Sequence, residues 1–234
     1  MIEIKKRKKE FVECFNIISN LVIETDINFS NDKIYIKAVH PSNHCMLMLE
    51  IKSSFFDNYN IEKDCIYTLD MFNLIKILKI VSKKDMIIDS SADKLILKNE
   101  SSKYELNYFV GSKDTRETPS FEYENNITLT SDEFFEQISK ALVIDQIGEI
   151  KIVDGELFIS SKSHMISGES KLKVLKVEGQ NNNSFFDLSY IELINGIKNI
   201  FTDIEIGFSN ELPLTIKCKN DDMNCKFILA NRIE

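Results

Sequence analysis

The residues of this chain whose type and spacing suggest chemistry are cations. Thr68–Val81, TLDMFNLIKILKIV, is amphipathic when wound at about 3.6 residues per turn. Lys76, Lys79 and Lys83 then share one face, and Met71, Leu74, Ile75 and Leu78 share the other. Ammonium groups in a row attract anions as point charges, and any solvated helix face can carry such a row. A second cluster, Lys5, Lys6, Arg7 and Lys8, crowds the start of another helical stretch. Positive charge there opposes the helix dipole by about 0.3 kcal/mol or more per charge. The cluster reads as a solvated basic end, a phosphate-facing group or a nuclear import signal.

Covalent chemistry finds no support. There is no Gly-rich loop, G-x-S-x-G, H-E-x-x-H or P-loop, so a hydrolase or transferase of α+β fold has no motif behind it. The five cysteines, Cys14, Cys45, Cys65, Cys218 and Cys225, are an odd number without C-x-x-C spacing. That pattern fits a reducing compartment and unpaired core thiols. His40, His44 and His164 do not flank a cysteine pair, so they read as loop or core residues and no zinc is expected. No cofactor is implied either. A net charge of −8 argues against a protein that coats its whole surface with DNA, but a local basic surface fits inside an acidic shell. No apolar run approaches the roughly 20 residues of a membrane span, and MIEIKKRKKEF lacks the apolar region of a secretory signal. An intracellular protein without membrane contact is expected.

The elements that position the lysines occur twice. Leu69 with Leu74-Ile75 returns as Leu188 with Leu193-Ile194, and KLILK ending at Lys98 returns as PLTIK ending at Lys217, both at an offset of 119. Glu10-Phe11-x-Glu13 returns as Glu133-Phe134-x-Glu136 at an offset of 123. Each half therefore reads as helix, strands, helix, strands. The spacing predicts helices over 8–24, with stripe Phe11, Phe15, Ile18 and Val22, and over 132–143, capped by Ser131, with stripe Phe134, Phe135, Ile138 and Leu142. A fourth helix is expected over 188–201. Long strands are expected over 103–110 and 165–177, and a hairpin turn at Asp154-Gly155. The polar stretch 111–126, GSKDTRETPSFEYENN, reads as an exposed connector between domains 1–110 and 127–234.

Several motifs, in order over nearly the whole chain, resemble the sliding clamps of the proliferating cell nuclear antigen family. Leu229-Ala230-Asn231-Arg232-Ile233-Glu234 is similar to that family's L-A-P-[KR]-I-E ending. Ala38-Val39-His40-Pro41-Ser42-Asn43-His44 is similar to its A-M-D-P-S-H-V loop, and Phe56-x-x-Tyr59 to the F-x-x-Y that follows. Lys76-Ile77-Leu78-Lys79 matches its S-K-I-L-K helix, and Pro213-Leu214 its penultimate-strand P-L pair.

The resemblance implies an α+β fold of two duplicated clamp domains, helices on a concave inner face and antiparallel sheets outside. It implies a ring of three subunits, self or paralogues, joined between the strands 103–110 and 165–174. It implies a processivity factor, not an enzyme, that encircles double-stranded DNA. Lys76 and Lys79 would face the DNA by direct match, then Lys140, with Lys9, Lys83 and Lys198 beyond them. Partners would be DNA polymerase, flap endonuclease, ligase and a clamp loader. They would insert PIP-box peptides into a pocket made by Val39, His44, Met46, Pro213, Ile228, Ala230 and Ile233. His44 stands where the family usually has valine, and Asn231 where it has proline. Arg116 and Thr118 occupy connector positions that are usually apolar. The connector wall is then weak, or uses Phe121 and Tyr123, or selects unusual partners. A checkpoint-type or viral clamp-like factor, or one subunit of a heterotrimer, is the alternative within the fold. The compartment would be the cytoplasm of a prokaryote or archaeon, or the nucleus of a eukaryote.

Overall fold

The computed structural model describes residues 1–90, 93–112 and 118–232. Arg116, Ile233 and the middle of the expected turn at 90–93 lie outside the described residues. The chain forms two compact units. The first takes residues 1–41, 47–116 and 220–225; the second takes 42–46, 117–219 and 226–234.

The elements of the first unit are β1 (Ile2–Ile4), α1 (Lys8–Leu21), β2 (Glu24–Phe29), β3 (Lys33–Val39), β4 (Cys45–Lys52, from Leu47 onward), β5 (Asn58–Tyr59), β6 (Cys65–Asp70), α2 (Met71–Val81), β7 (Met86–Ser90), β8 (Lys94–Lys98), β9 (Lys103–Asn107) and β10 (Phe109–Val110). Those of the second are β11 (Asn125–Thr130), α3 (Ser131–Leu142), β12 (Ile147–Val153), β13 (Glu156–Lys162), β14 (Ser167–Lys171), β15 (Lys176–Glu178), β16 (Asn182–Asp187), α4 (Leu188–Glu192), β17 (Asp203–Phe208), β18 (Leu214–Lys219) and β19 (Met223–Leu229, from Lys226 onward).

The duplication is visible in the strand order. The first unit has one sheet β5–β1–β7–β8–β9 and another run β6–β2–β3–β4. The second has β15–β11–β17–β18–β19 and β16–β12–β13–β14. Adding ten to each label of the first unit gives the second. Among the described residues only β10, which pairs with β6 through Phe109 and Val110, has no counterpart. In each unit the two helices pack on each other, α1 on α2 and α3 on α4.

Apolar periodicity produces this packing. The α2 stripe Met71, Leu74, Ile75, Leu78 and Val81 is buried. Phe134 and Phe135 of α3 are fully buried and meet edge to face, with ring centroids 5.4 Å apart. Burying a side chain of that size contributes about 1.5–3 kcal/mol. Asp154 and Gly155 both have positive φ, 52° and 78°, which the tight turn between β12 and β13 requires.

Several boundaries differ from the expectations. Helix α1 ends at Leu21, because the β-branched Val22 turns extended and Ile23 accepts the Met71 amide with its carbonyl. The α3 cap is Thr130, whose hydroxyl accepts the Glu133 amide. Ser131 is buried and donates instead to the Phe201 carbonyl at 2.5 Å. The expected helix over 188–201 is one short α-turn, α4, followed by a 3-10 turn over Asn195–Asn199. Its buried residues Leu188, Ile191, Ile194 and Ile197 recur every third position, which suits a winding of about three residues per turn. Gly196 weakens an α-helix at that point, and Asn195 donates to the Glu192 carboxylate at 2.8 Å. The caps of α2 and α4 are Asp70 and Asp187, and 187 − 70 = 117, so the helices correspond two residues away from the offset of 119. The two long strands each divide. β9 and β10 enter different sheets, and so do β14 and β15.

All five cysteines are free; four are buried and Cys65 is half-buried. Burial pushes the Cys14 thiol well above its usual value and the Cys45 thiol up to about 12. Because the thiolate is the nucleophile, an alkylating reagent at neutral pH is expected to label Cys65 first in the native protein. Cys14 and Cys45 should label only on unfolding, read by intact mass. For α2, Asp70→Ala removes the carboxylate that accepts the Asn73 amide at 2.7 Å. It is expected to cost about 1 kcal/mol, seen as a lower urea midpoint at unchanged slope.

Candidate functional site

The cationic side chains lie on the outward faces of the helices. In the first unit Lys9, Lys76, Lys79 and Lys83 are exposed. Lys79 Nζ donates to Asn16 Oδ1 at 3.2 Å, so α2 reaches over the polar side of α1 and both helices present one surface. Lys76 Nζ sits 3.6 Å from the centroid of the Phe72 ring, and that ring is 60% exposed. The Lys5–Lys8 cluster is largely engaged within its unit. Lys5 pairs with Glu3 at 3.1 Å, Lys8 with Asp85 at 3.1 Å, and Arg7 with Glu10 at 2.6 Å and with Asp222. Arg7 also lies 4.3 Å over the Phe55 ring, so it joins the start of α1 to the turn before β19. Contacts of this kind occupy the cluster as structural ties.

In the second unit the helix face is more acidic. Lys140 is exposed and pairs with Glu136 at 2.6 Å, one turn earlier on α3. That pair holds the Glu136 carboxyl below its ordinary range. Lys198 is exposed on the 3-10 turn, whereas Asp132 and Glu136 are exposed on α3. Glu192 accepts from the Ser139 hydroxyl at 3.2 Å. The candidate cations therefore concentrate on α1 and α2.

The residues of the expected peptide pocket divide between the units. Val39 ends β3 in the first unit. In the second, Met46, Phe121, Tyr123, Pro213 and Ala230 are half-buried, His44 is exposed, and Ile228 is only 5% exposed. Ile228 thus contributes mainly to the core. Residues 118–124 are tied down within the second unit by side chains. Lys226 Nζ donates to the Pro119 carbonyl at 3.1 Å, and the Glu124 amide donates to Ser209 Oγ at 2.7 Å. Burial lowers the Lys226 pKa. The Tyr123 hydroxyl meets Thr215 Oγ1, and its ring lies against Gly207, where a Cβ would fall 2.5 Å from the ring. Phe121 follows, with its ring centroid 6.0 Å from that of Tyr123.

His44 and Ala230 also line a cavity of about 370 Å³ with Asp187, Tyr190, Leu229, Asn231 and Arg232. The Ala230 amide donates to the His44 carbonyl at 2.8 Å, which fixes the two chain segments together. The Tyr190 hydroxyl lies 3.4 Å from His44 Nδ1 and 3.0 Å from Ser42 Oγ. Motif reading does not bring Asp187 or Tyr190 to this place. The one sequence signal was Asp187 directly before an apolar run, which marks a helix cap. A larger cavity, about 1320 Å³, opens in the first unit beside Lys33, Tyr35, Glu50 and Tyr67 and contains no candidate residue. Among the described residues no helix is long and apolar enough to cross a membrane.

The chain resembles known proteins over its full length. It is 24% identical over 225 residues to DNA polymerase sliding clamp 2 of Sulfolobus acidocaldarius, covering 88% of this chain and 89% of that one. It is 28% identical over 236 residues to the DNA polymerase sliding clamp of Methanothermobacter thermautotrophicus, covering 94% and 93%. Among solved structures, a chain of the PCNA2–PCNA3 complex from Sulfolobus tokodaii superimposes with a TM-score of 0.89 at 20% identity, covering 100% of this chain and 99% of that one. The PCNA of A. fulgidus, solved with the C-terminal region of FEN-1 bound, gives 0.89 at 21% identity and the same coverage. These establish the α+β clamp fold. The family model of the N-terminal domain of proliferating cell nuclear antigen matches residues 1–126, more than half of the 234 residues, so the chain belongs to the proliferating cell nuclear antigen family, the DNA sliding clamps.

Proposed function

We propose that this chain is one subunit of a three-membered ring that encircles duplex DNA and tethers replication and repair enzymes to it. Domains 1–110 and 127–234 would be its two clamp domains and 111–126 the connector. One observation carries the reading: each unit ends one sheet on an outermost strand, β9 in the first and β14 in the second. An outermost strand presents a row of backbone N–H and C=O groups that invites pairing with another chain. Joining β9 of one subunit antiparallel to β14 of the next is a head-to-tail contact, and such contacts close into rings. Exposed apolar side chains beside these strands support it: Phe109 and Val110 after β9, and Met165 and Ile166 before β14.

Within the ring the work is electrostatic and topological, with no reaction catalysed. Lys76, Lys79, Lys9 and Lys83 attract phosphates without reading sequence. Lys140, held by Glu136, and Lys198 add less. Encirclement keeps the ring in place, so weak contacts suffice and sliding stays fast. Polymerase, flap endonuclease, ligase and clamp loader would dock through PIP-box peptides at Val39, His44, Met46, Phe121, Tyr123, Pro213, Ile228, Ala230 and Ile233. The bound FEN-1 peptide of the A. fulgidus neighbour supports this docking mode. The protein would act wherever the cell keeps its DNA. A ring of paralogous chains is the second reading. The acidic helix face of the second unit favours it, because sister subunits would then supply the missing cations.

Light scattering on the purified chain is expected to give about 80 kDa, three times its 27.1 kDa. A monomer that assembles only with other clamp chains would favour the paralogue ring, and a monomer that assembles with nothing would overturn both. Lys76→Glu with Lys79→Glu is expected to leave that mass unchanged and to lower polymerase stimulation on circular primed DNA. Full stimulation by the assembled double variant would discard the assignment of these lysines.

A further inference from the structure

The cavity shared by His44 and Ala230 has a donor set that an apolar docking pocket does not need. Asp187 is already committed. Its Oδ1 accepts the Ser189 amide at 3.1 Å and the Ser189 hydroxyl at 2.5 Å, and its Oδ2 lies 3.5 Å from Arg232 NH2. Its side chain is only 16% exposed, whereas that of Arg232 is 57% exposed. Asp187 therefore serves to aim the guanidinium. Arg232 carries five N–H donors in a planar fork, and among the described residues its side chain makes one long contact, to Asp187. The backbone around it is fixed, since the Arg232 amide donates to the Phe185 carbonyl at 2.7 Å.

His44 is positioned in the same way. The Tyr190 hydroxyl, 3.4 Å from Nδ1, and the ring contact at 5.8 Å between centroids hold the imidazole at the rim. An imidazole always carries at least one ring N–H, and Nδ1 is the nitrogen that meets the Tyr190 hydroxyl. Leu229 and Ala230 supply apolar wall. A volume of about 370 Å³ is at the low end for a ligand site and suits one side chain with its flanks. Among the described residues Asp187 is the one anionic side chain lining the cavity, and Ser189 and Arg232 engage it, while Arg232 and His44 bring N–H donors.

We propose that Arg232, aimed by Asp187, and His44, held by Tyr190, read a carboxylate on the partner peptide. This rests on the reading of the surroundings of Ala230 as the peptide pocket, and it names the peptide class this chain prefers: one with an acidic residue beside its apolar and aromatic anchors. The probes are two fluorescent PIP-box peptides that differ only in glutamate or glutamine at the residue preceding the anchors. Fluorescence anisotropy with the assembled protein is expected to show the glutamate form binding about tenfold tighter, as for a charge-assisted pair. Arg232→Gln should bring the two within about twofold, and Arg232→Lys should keep part of the preference. His44→Val should reduce the preference for the glutamate form. Equal binding of both peptides by the unaltered protein overturns the carboxylate assignment and leaves the pocket standing. Binding of neither, or binding that survives Ala230→Trp undiminished, overturns the pocket reading and this inference together.

Discussion

An open β-sheet must end somewhere, and its last strand carries backbone donors and acceptors with no strand beyond them. This constraint shapes the whole chain. Each unit builds the same two-part strand order, so each inherits the same problem. In the first unit β10 covers part of the β6 edge, with Phe109 against Thr68 and Val110 against Tyr67. β9 and β14 remain outermost. Both strands carry paired charges: Glu105 bridges Lys94 and Lys103, which hold its carboxyl down to about 2, and Lys171 meets Glu156 at 2.5 Å. Charges at an edge discourage random aggregation while permitting a partner of matching register.

The same economy governs charge. The chain is acidic overall, at −8, yet exposed lysines gather on α1 and α2. Exposed ion pairs add little to stability, so the pairs of Lys5 and Lys8 matter more for occupying cations at the start of α1. Arg7 differs, because it combines Glu10, Asp222 and the Phe55 ring at one half-buried point.

Much of the fold was legible because apolar periodicity is local. The α2 stripe and the paired phenylalanines of α3 are readable one turn at a time, and the Asp154-Gly155 turn from two residues. The last helix was not, since apolar residues every third position and Gly196 suit a 3-10 winding, and that differs from an α-helix by less than one residue per turn. The long strands over 103–110 and 165–177 misled for another reason. Where a strand leaves one sheet for another depends on distant neighbours, and Tyr108 looks no different from a strand residue. At the site, motif reading reached His44 and Ala230, while Asp187 and Tyr190 arrive through packing from far along the chain.

Gly207 shows how such distance acts. It lies in β17, yet the Tyr123 ring occupies the space its side chain would fill. The seat of Tyr123 is thus carved into the sheet rather than encoded by the segment around it. A single methyl group at 207 would evict the ring and strip Thr215 of its tyrosine neighbour. A substitution at this sheet position would therefore be felt first in the segment that carries Tyr123.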